Sequence, residues 1–396
     1  MTILHTSDWH LGQKLMGKSR QEEHHAFLTW LLEQITHHAV DVLIVAGDIF
    51  DTGTPPNYAL ESYYGFLNQL QETPCKMVII IAGNHDAIST LQTTQSLLQR
   101  LNVYIIASGE EEHTLIPYYE EGTLQALFCA IPFLREGVIR QSIAKLSSQE
   151  KEEARNHAIR AYYERIYHKA QTLKKEASIP IIATGHLTTV GAKMSDSERN
   201  LYIGNERHID SAFLAEMFDY VALGHLHHAQ SVSSERVRYS GSPIPLSFSE
   251  ANKEKSVTLI SFSHATSPNI QTLPIPTYRP LYRLKGDLQT LKKALHALPN
   301  PKGWIEVTIT DENSYKTLED IEAIAKEKQL TLLAKKIEQS TITSPLQTTQ
   351  APLTLESLTP KMLFQKRLEQ EKLTDEGLIE ALQQTFETIE NEVATQ

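Results

Sequence analysis

Five short apolar runs along this chain each break off into a polar group, and the stretches between the first of them carry apolar residues at helical spacing. Met1 to about Thr6 leads into Ser7-Asp8-Trp9-His10-Leu11-Gly12, and Val42-Leu43-Ile44-Val45-Ala46 into Gly47-Asp48-Ile49-Phe50-Asp51. Met77-Val78-Ile79-Ile80-Ile81-Ala82 turns abruptly into Gly83-Asn84-His85-Asp86. Ile181-Ile182-Ala183-Thr184 runs into Gly185-His186, and Tyr220-Val221-Ala222-Leu223 into Gly224-His225-Leu226-His227. Continuous β-branched runs of this kind read as strands buried on both faces. Helices are expected from Arg20 to His38 (Phe27, Trp30, Leu31 and Ile35 share a face), from Asn57 to Leu70 and near Ile88–Leu101. Strand, helix, strand, helix is an α/β pattern.

Val103 to Phe133 reads as strand-rich, and the charged stretch Arg135 to Ala177 as a helical insertion on the surface. A first domain is expected over residues 1–268. The prolines of Pro274-Ile275-Pro276-Thr277-Tyr278-Arg279-Pro280 mark a linker. A small β-α-β-α-β unit follows over residues 276–339, with Asp287 as N-cap of the helix Leu288–Leu298. Residues 340–356, rich in Ser, Thr, Gln and Pro, read as a linker. Residues 357–396 carry Met362, Leu363, Phe364, Leu368, Leu373, Ile379, Leu382 and Phe386 at amphipathic helical spacing. Such a tail needs its own domain or another chain to cover its apolar face.

Composition narrows the picture. The 396 residues are 41% hydrophobic, enough for a sizeable core. The apolar runs end after about ten residues, where a membrane span needs roughly twenty. No charged leader or cleavage site precedes the first strand, so a cytoplasmic protein is expected. Cys75 and Cys129 sit beside apolar runs and read as inert core residues. The net charge of -11 argues against a nucleic-acid binder taken alone. Bound divalent metals would supply positive charge locally, and much of the acidic excess lies near the C-terminus.

The five strand ends carry the candidate chemistry: Asp8 with His10, Asp48, Asn84, His186, and His225 with His227. Carboxylate, imidazole and amide oxygen together suit first-row divalent ions such as manganese, iron or zinc. Seven ligands are too many for one ion and about right for two, with Asp48, in the interior of the set, as the bridge. Two such ions grip a phosphate and acidify a water near neutral pH.

These residues, in this order, resemble the calcineurin-like binuclear metallophosphoesterases from Asp8 to His227, and within them the nucleases of DNA double-strand-break repair. Ser195-Asp196-Ser197-Glu198-Arg199 and Tyr239-Ser240-Gly241-Ser242-Pro243-Ile244-Pro245-Leu246-Ser247-Phe248 add to that resemblance. It implies a two-sheet sandwich flanked by helices, with the small unit as a DNA-capping domain and the tail docking on a partner. It implies that Asp8, His10, Asp48 and His227 hold one metal, most typically manganese, and that Asp48, Asn84, His186 and His225 hold the other. His85 would face the scissile phosphate. Asp51 would be supporting or substrate-facing, and Asp86 would orient His85 or His10 or brace its turn. The implied activities are 3'-5' exonuclease on duplex DNA and endonuclease on single strands, near the nucleoid, in repair, recombination and replication. The implied assembly is a homodimer of this chain with two copies of a coiled-coil ATPase. Another phosphodiesterase or phosphatase of the same fold, or a non-catalytic scaffold for the ATPase, are the competing readings. Thr52 after Asp51, and Asp86 in place of glutamate, count against a Ser/Thr protein phosphatase.

Overall fold

The computed structural model describes residues 1–139, 148–193, 198, 209–263, 267–311, 313–338, 364 and 381–386. Met1–Ser340 forms one compact unit and Thr341–Gln396 another. In the first unit two six-stranded sheets are packed face to face. The first runs Asn269–Pro274, Ser256–Ser261, Thr2–Thr6, Val42–Ala46, Met77–Ile81, Val103–Ile106. The second runs Gln230–Val232, Ser234–Tyr239, Tyr220–Gly224, Ile181–His186, Thr123–Cys129, Leu115–Glu120.

Thr2–Thr6, Val42–Ala46 and Met77–Ile81 are central and buried for a simple reason. Ile3, Ile44, Ile79 and Ile81 point to the second sheet, where they meet Phe128, Ile182, Tyr220 and Ala222. Alternate residues, Leu4, Leu43, Val45, Val78 and Ile80, point outward to the helices Gln21–His37 and Asn57–Leu70. A strand apolar on both faces is what such a helix–sheet–sheet–helix stack demands.

The fourth layer corrects the reading of Arg135–Ala177 as an insertion. Its helix Ser148–Lys174 covers the outer face of the second sheet through Ile159, Tyr162, Tyr163, Ile166 and Ala170. The apolar positions are spaced three and four apart, but charged neighbours dilute them. Two smaller differences concern local geometry. The helix expected near Ile88–Leu101 breaks into Ile88–Gln92 and Gln95–Gln99. Asn269–Pro274, just before the proline-rich linker, pairs antiparallel with Ser256–Ser261 as an edge strand.

Leu281–Gly286, Trp304–Ile309 and Thr331–Ile337 make a separate parallel three-stranded sheet. The helices Leu288–His296 and Ser314–Glu327 cover it, around a core of Leu291, Leu295, Ile305, Val307, Ile309 and Ile321. Asp287 caps the first helix by accepting from Thr290 N at 2.8 Å. The sheet meets the main body where Arg20 and Arg279 lie over the Trp304 ring, with Glu23 Oε1 accepting from both guanidinium groups. The expected linker at 340–356 lies outside the described residues. So does the tail, apart from Phe364 and the helical residues 381–386, where the Phe364 and Phe386 rings stack at 4.3 Å.

Candidate metal centre

The strand ends of the two sheets meet at one rim, and two glycines make the approach close enough. A Cβ on Gly224 would overlap the Ala46 carbonyl, and one on Gly83 would overlap the Asp48 carboxylate and its backbone nitrogen. Asp8, His10, Asp48 and His225 all take positive φ, from 46° to 96°. Non-glycine residues adopt that region at a cost of order 1–3 kcal/mol each, and such strain clusters at functional sites. The backbone there is held by Asp8 N bonding Gly47 O at 2.9 Å and His10 N bonding Asp48 O at 3.0 Å.

The side chains converge in two groups: Asp8, His10 and His227, and Asp48, His186 and His225, all buried. Within each group the possible donor atoms lie within 4.8 Å of one another. His10 Nε2 faces His227 Nε2 at 3.2 Å, and Asn84 Oδ1 lies 2.9 Å from His186 Nε2. Asp48 connects the groups, since its Oδ2 is 3.6 Å from His10 Nε2 and 3.3 Å from His186 Nε2. The other Asp48 oxygen accepts from His85 N at 2.9 Å. Asp8 is held by Ser7 Oγ at 2.6 Å and by His225 N at 2.9 Å. His186 Nδ1 donates to the Ala46 carbonyl at 3.0 Å, so Nε2 is the nitrogen that would give up its proton to a metal.

Charge is concentrated here. Burial pushes the Asp48 carboxyl up, but His186, His10 and His85 outweigh it and hold Asp48 well below the usual carboxylate range. Burial raises Asp8. Burial disfavours the His186 cation, yet Asp48 and Asp8 lift the ring to about 9. Burial and the neighbouring His186 hold His225 well below the usual imidazole value. Among the described residues, His225 Nε2 is buried with no hydrogen-bond partner. A buried imidazole nitrogen with no partner, beside carboxylates and an amide oxygen, is a set that fits divalent cations.

Three other residues need separate placement. His85 is half-buried; its Nδ1 lies 2.7 Å from the Asp51 carbonyl, and its ring meets His10 edge-on at 4.8 Å. Asp51 Oδ1 lies 3.4 Å from His10 Nδ1, so this residue touches both histidines through different atoms. Asp86 touches neither His85 nor His10 by its carboxylate. It accepts from Gly83 N, Ile49 N and Phe50 N at 2.9, 3.2 and 3.0 Å, which corrects the expectation that it orients a histidine and supports the turn-bracing alternative. Burial and the nearby Asp48 raise it to about 6.

A polar residue on the helix Gln21–His37, such as His24, is ordinarily a surface residue. His24 is buried instead, and burial lowers it to about 3. Glu250 and Lys255 were not singled out, although both are buried beside His227. The signal available was two charged residues just past the Ser240–Phe248 segment. Of the Ser195–Arg199 segment only Glu198 is described, where its Oε1 accepts from His227 N at 2.8 Å.

This fold and site are those of a calcineurin-like phosphoesterase, whose family model matches residues 1–229. A second model, described as a type 5 capsule protein repressor C-terminal domain, matches residues 277–372. The SbcD subunit of the nuclease SbcCD from Escherichia coli K12 is 42% identical over 98% of this chain and 97% of its own length. That of Rhodobacter capsulatus is 35% identical over 72% and 71%, and that of Bacillus subtilis 30% over 82% and 83%. The chain belongs to this SbcD family of calcineurin-like phosphoesterases.

Proposed function

We propose that this chain is the nuclease subunit of an SbcCD-type complex and hydrolyses phosphodiester bonds in DNA with two divalent metal ions, manganese the expected one. Family membership makes it a hydrolase of the metal-dependent nuclease kind. The observation that carries the site assignment is the position of Asp48, whose Oδ2 faces both histidine groups. Asp8, His10, Asp48 and His227 would hold one ion, and Asp48, Asn84, His186 and His225 the other. When bound, such ions supply the charge that grips a phosphate and the acidification of water that makes a nucleophile near neutral pH.

The chain's own residues do the rest. His186, its proton fixed on Nδ1 by Ala46, presents Nε2 to the centre. His85 Nδ1–H donates to the Asp51 carbonyl. A carbonyl acceptor at Nδ1 stabilises the doubly protonated ring, so Nε2 is the atom that gives a proton to the leaving oxygen. Asp51 supports His10 by its carboxylate, and Asp86 fixes the turn that presents Asn84 and His85. Residues 1–268, extended by the edge strand Asn269–Pro274, form the nuclease domain. Residues 276–339 cap the DNA, 340–356 link, and 357–396 dock on an SbcC-like coiled-coil ATPase.

The working assembly is a homodimer with two ATPase copies. It acts on DNA ends and hairpins in repair, recombination and replication at the nucleoid. No helix among the described residues is long and apolar enough to cross a membrane. With a net charge of -11, this chain alone should bind DNA weakly and with strong salt dependence. An assay of the purified chain with manganese tests the reading, using a labelled linear duplex, a single-stranded circle and a generic phosphodiester. Cleavage of both DNAs supports it, while turnover confined to the small diester replaces it with a small-molecule phosphodiesterase.

A further inference from the structure

The segment after Pro243 returns to the site with two buried charges that the metal set does not use. Glu250 ends the short turn Phe248–Glu250, and Lys255 immediately precedes the strand Ser256–Ser261. Lys255 Nζ donates to Glu250 Oε2 at 2.5 Å, to Ser242 Oγ at 2.8 Å and to the carbonyl oxygen of His227 at 2.9 Å. Glu250 Oε2 also accepts from Leu246 N at 3.4 Å. The remaining carboxylate oxygen, Oε1, faces His227 Nδ1 at 3.7 Å. On the other side of that ring, His227 Nε2 faces His10 Nε2 at 3.2 Å.

A buried ion pair is a poor way to hold a loop, because an apolar pair of the same volume is usually as stable or more so. The pair makes sense as a device aimed at His227. A carboxylate opposite Nδ1 favours the tautomer with its proton there, so the lone pair stays on Nε2. Lys255 grips both the carboxylate and the backbone carbonyl of the same histidine, so ring and main chain are fixed together.

We propose that Glu250, held by Lys255, is a positioning residue for His227: it sets the tautomer and direction of the ring and thereby how tightly one of the two metals is held. This rests on reading His227 as a metal ligand. Partners of metal-binding histidines typically change metal affinity 10–100-fold when removed.

The test is a calorimetric manganese titration of the full chain as wild type, Glu250→Gln, Glu250→Gln/Lys255→Met and His227→Ala. The double variant removes both charges at similar volume, so it stays informative where Glu250→Gln alone fails to fold. The expected result is a loss of about 10–100-fold in affinity at one of two sites in both Glu250 variants, with the other site unchanged. In ¹⁵N spectra of the metal-free chain, the His227 ring should pass from an Nδ1-protonated form to a tautomer mixture. Folded Glu250 variants that bind two manganese ions as tightly as wild type would overturn the proposal, as would a lower Tm with unchanged affinity. If His227→Ala also binds two ions normally, the ligand assignment beneath the proposal fails, and that outcome is read separately.

Discussion

The carbonyl oxygen of Asp51 lies 2.7 Å from His85 Nδ1, while the carboxylate of the same residue lies 3.4 Å from His10 Nδ1. One residue therefore serves two histidines, His85 through its main chain and His10 through its side chain. Changing the side chain should separate the two roles. Asp51→Ala is expected to raise the manganese concentration for half-maximal activity about tenfold, by loosening His10. Turnover at saturating manganese should change by less than about threefold, because the bond to His85 is retained. Activity measured against manganese concentration checks this, and a large loss at saturation would place the carboxylate on the substrate.

Gly83 packs where a Cβ would overlap both the Asp48 carboxylate and its backbone nitrogen. Gly83→Ala must therefore move Asp48, the group shared by both sets. The expected outcome is loss of manganese binding at both sites together, with the fold retained. A calorimetric titration reads the stoichiometry, and loss of one ion alone would mean that Asp48 does not bridge.

Much of this rim was legible before the structure. Asp8, Asp48, Asn84, His186 and His225 each stand where a buried apolar strand breaks into polarity, and that break is visible in one dimension. What was hidden depends on partners distant in sequence. Glu250 and Lys255 carry no periodicity, and their meaning comes from His227. Asp86 looked like a support for histidine because it follows His85, but its three partners are backbone amides, including those of Ile49 and Phe50. The helix Ser148–Lys174 hid its buried stripe among charges, so a layer of the sandwich read as an insertion. The burial of His24 is equally invisible in one dimension, because a polar residue on a helix gives no sign of being covered.

His24 and His5 are buried, and burial lowers both from 6.5 to about 3. The neutral form is the native one. Between pH 6.5 and about 3 the unfolded state binds the extra proton, so stability is fully present above 6.5 and falls as pH drops through that window. Each such histidine contributes a slope of about 1.4 kcal/mol per pH unit there. Urea unfolding of metal-free wild type and His24→Leu at pH 7 and pH 5 should show the variant losing less stability on acidification. Equal losses would mean that His24 protonates freely in the folded chain.

Glu23 is buried between Arg20 and Arg279, whose guanidinium groups both lie over Trp304 of the three-stranded sheet. Glu23→Ala leaves the buried Arg20 without its carboxylate, at an expected cost of about 3 kcal/mol. Proteolysis near the 275–280 segment should accelerate in step. Unchanged cleavage would show that the three-stranded sheet is held to the main body by other contacts.

In the proposed site His85 acts on the substrate while seven other residues hold the metals. His85→Ala, with manganese stoichiometry and duplex DNA cleavage measured on one preparation, tests it most directly. Two manganese ions should still bind, and cleavage should fall by at least about 100-fold. Two bound ions with undiminished cleavage, or cleavage lost only because an ion is lost, would contradict it.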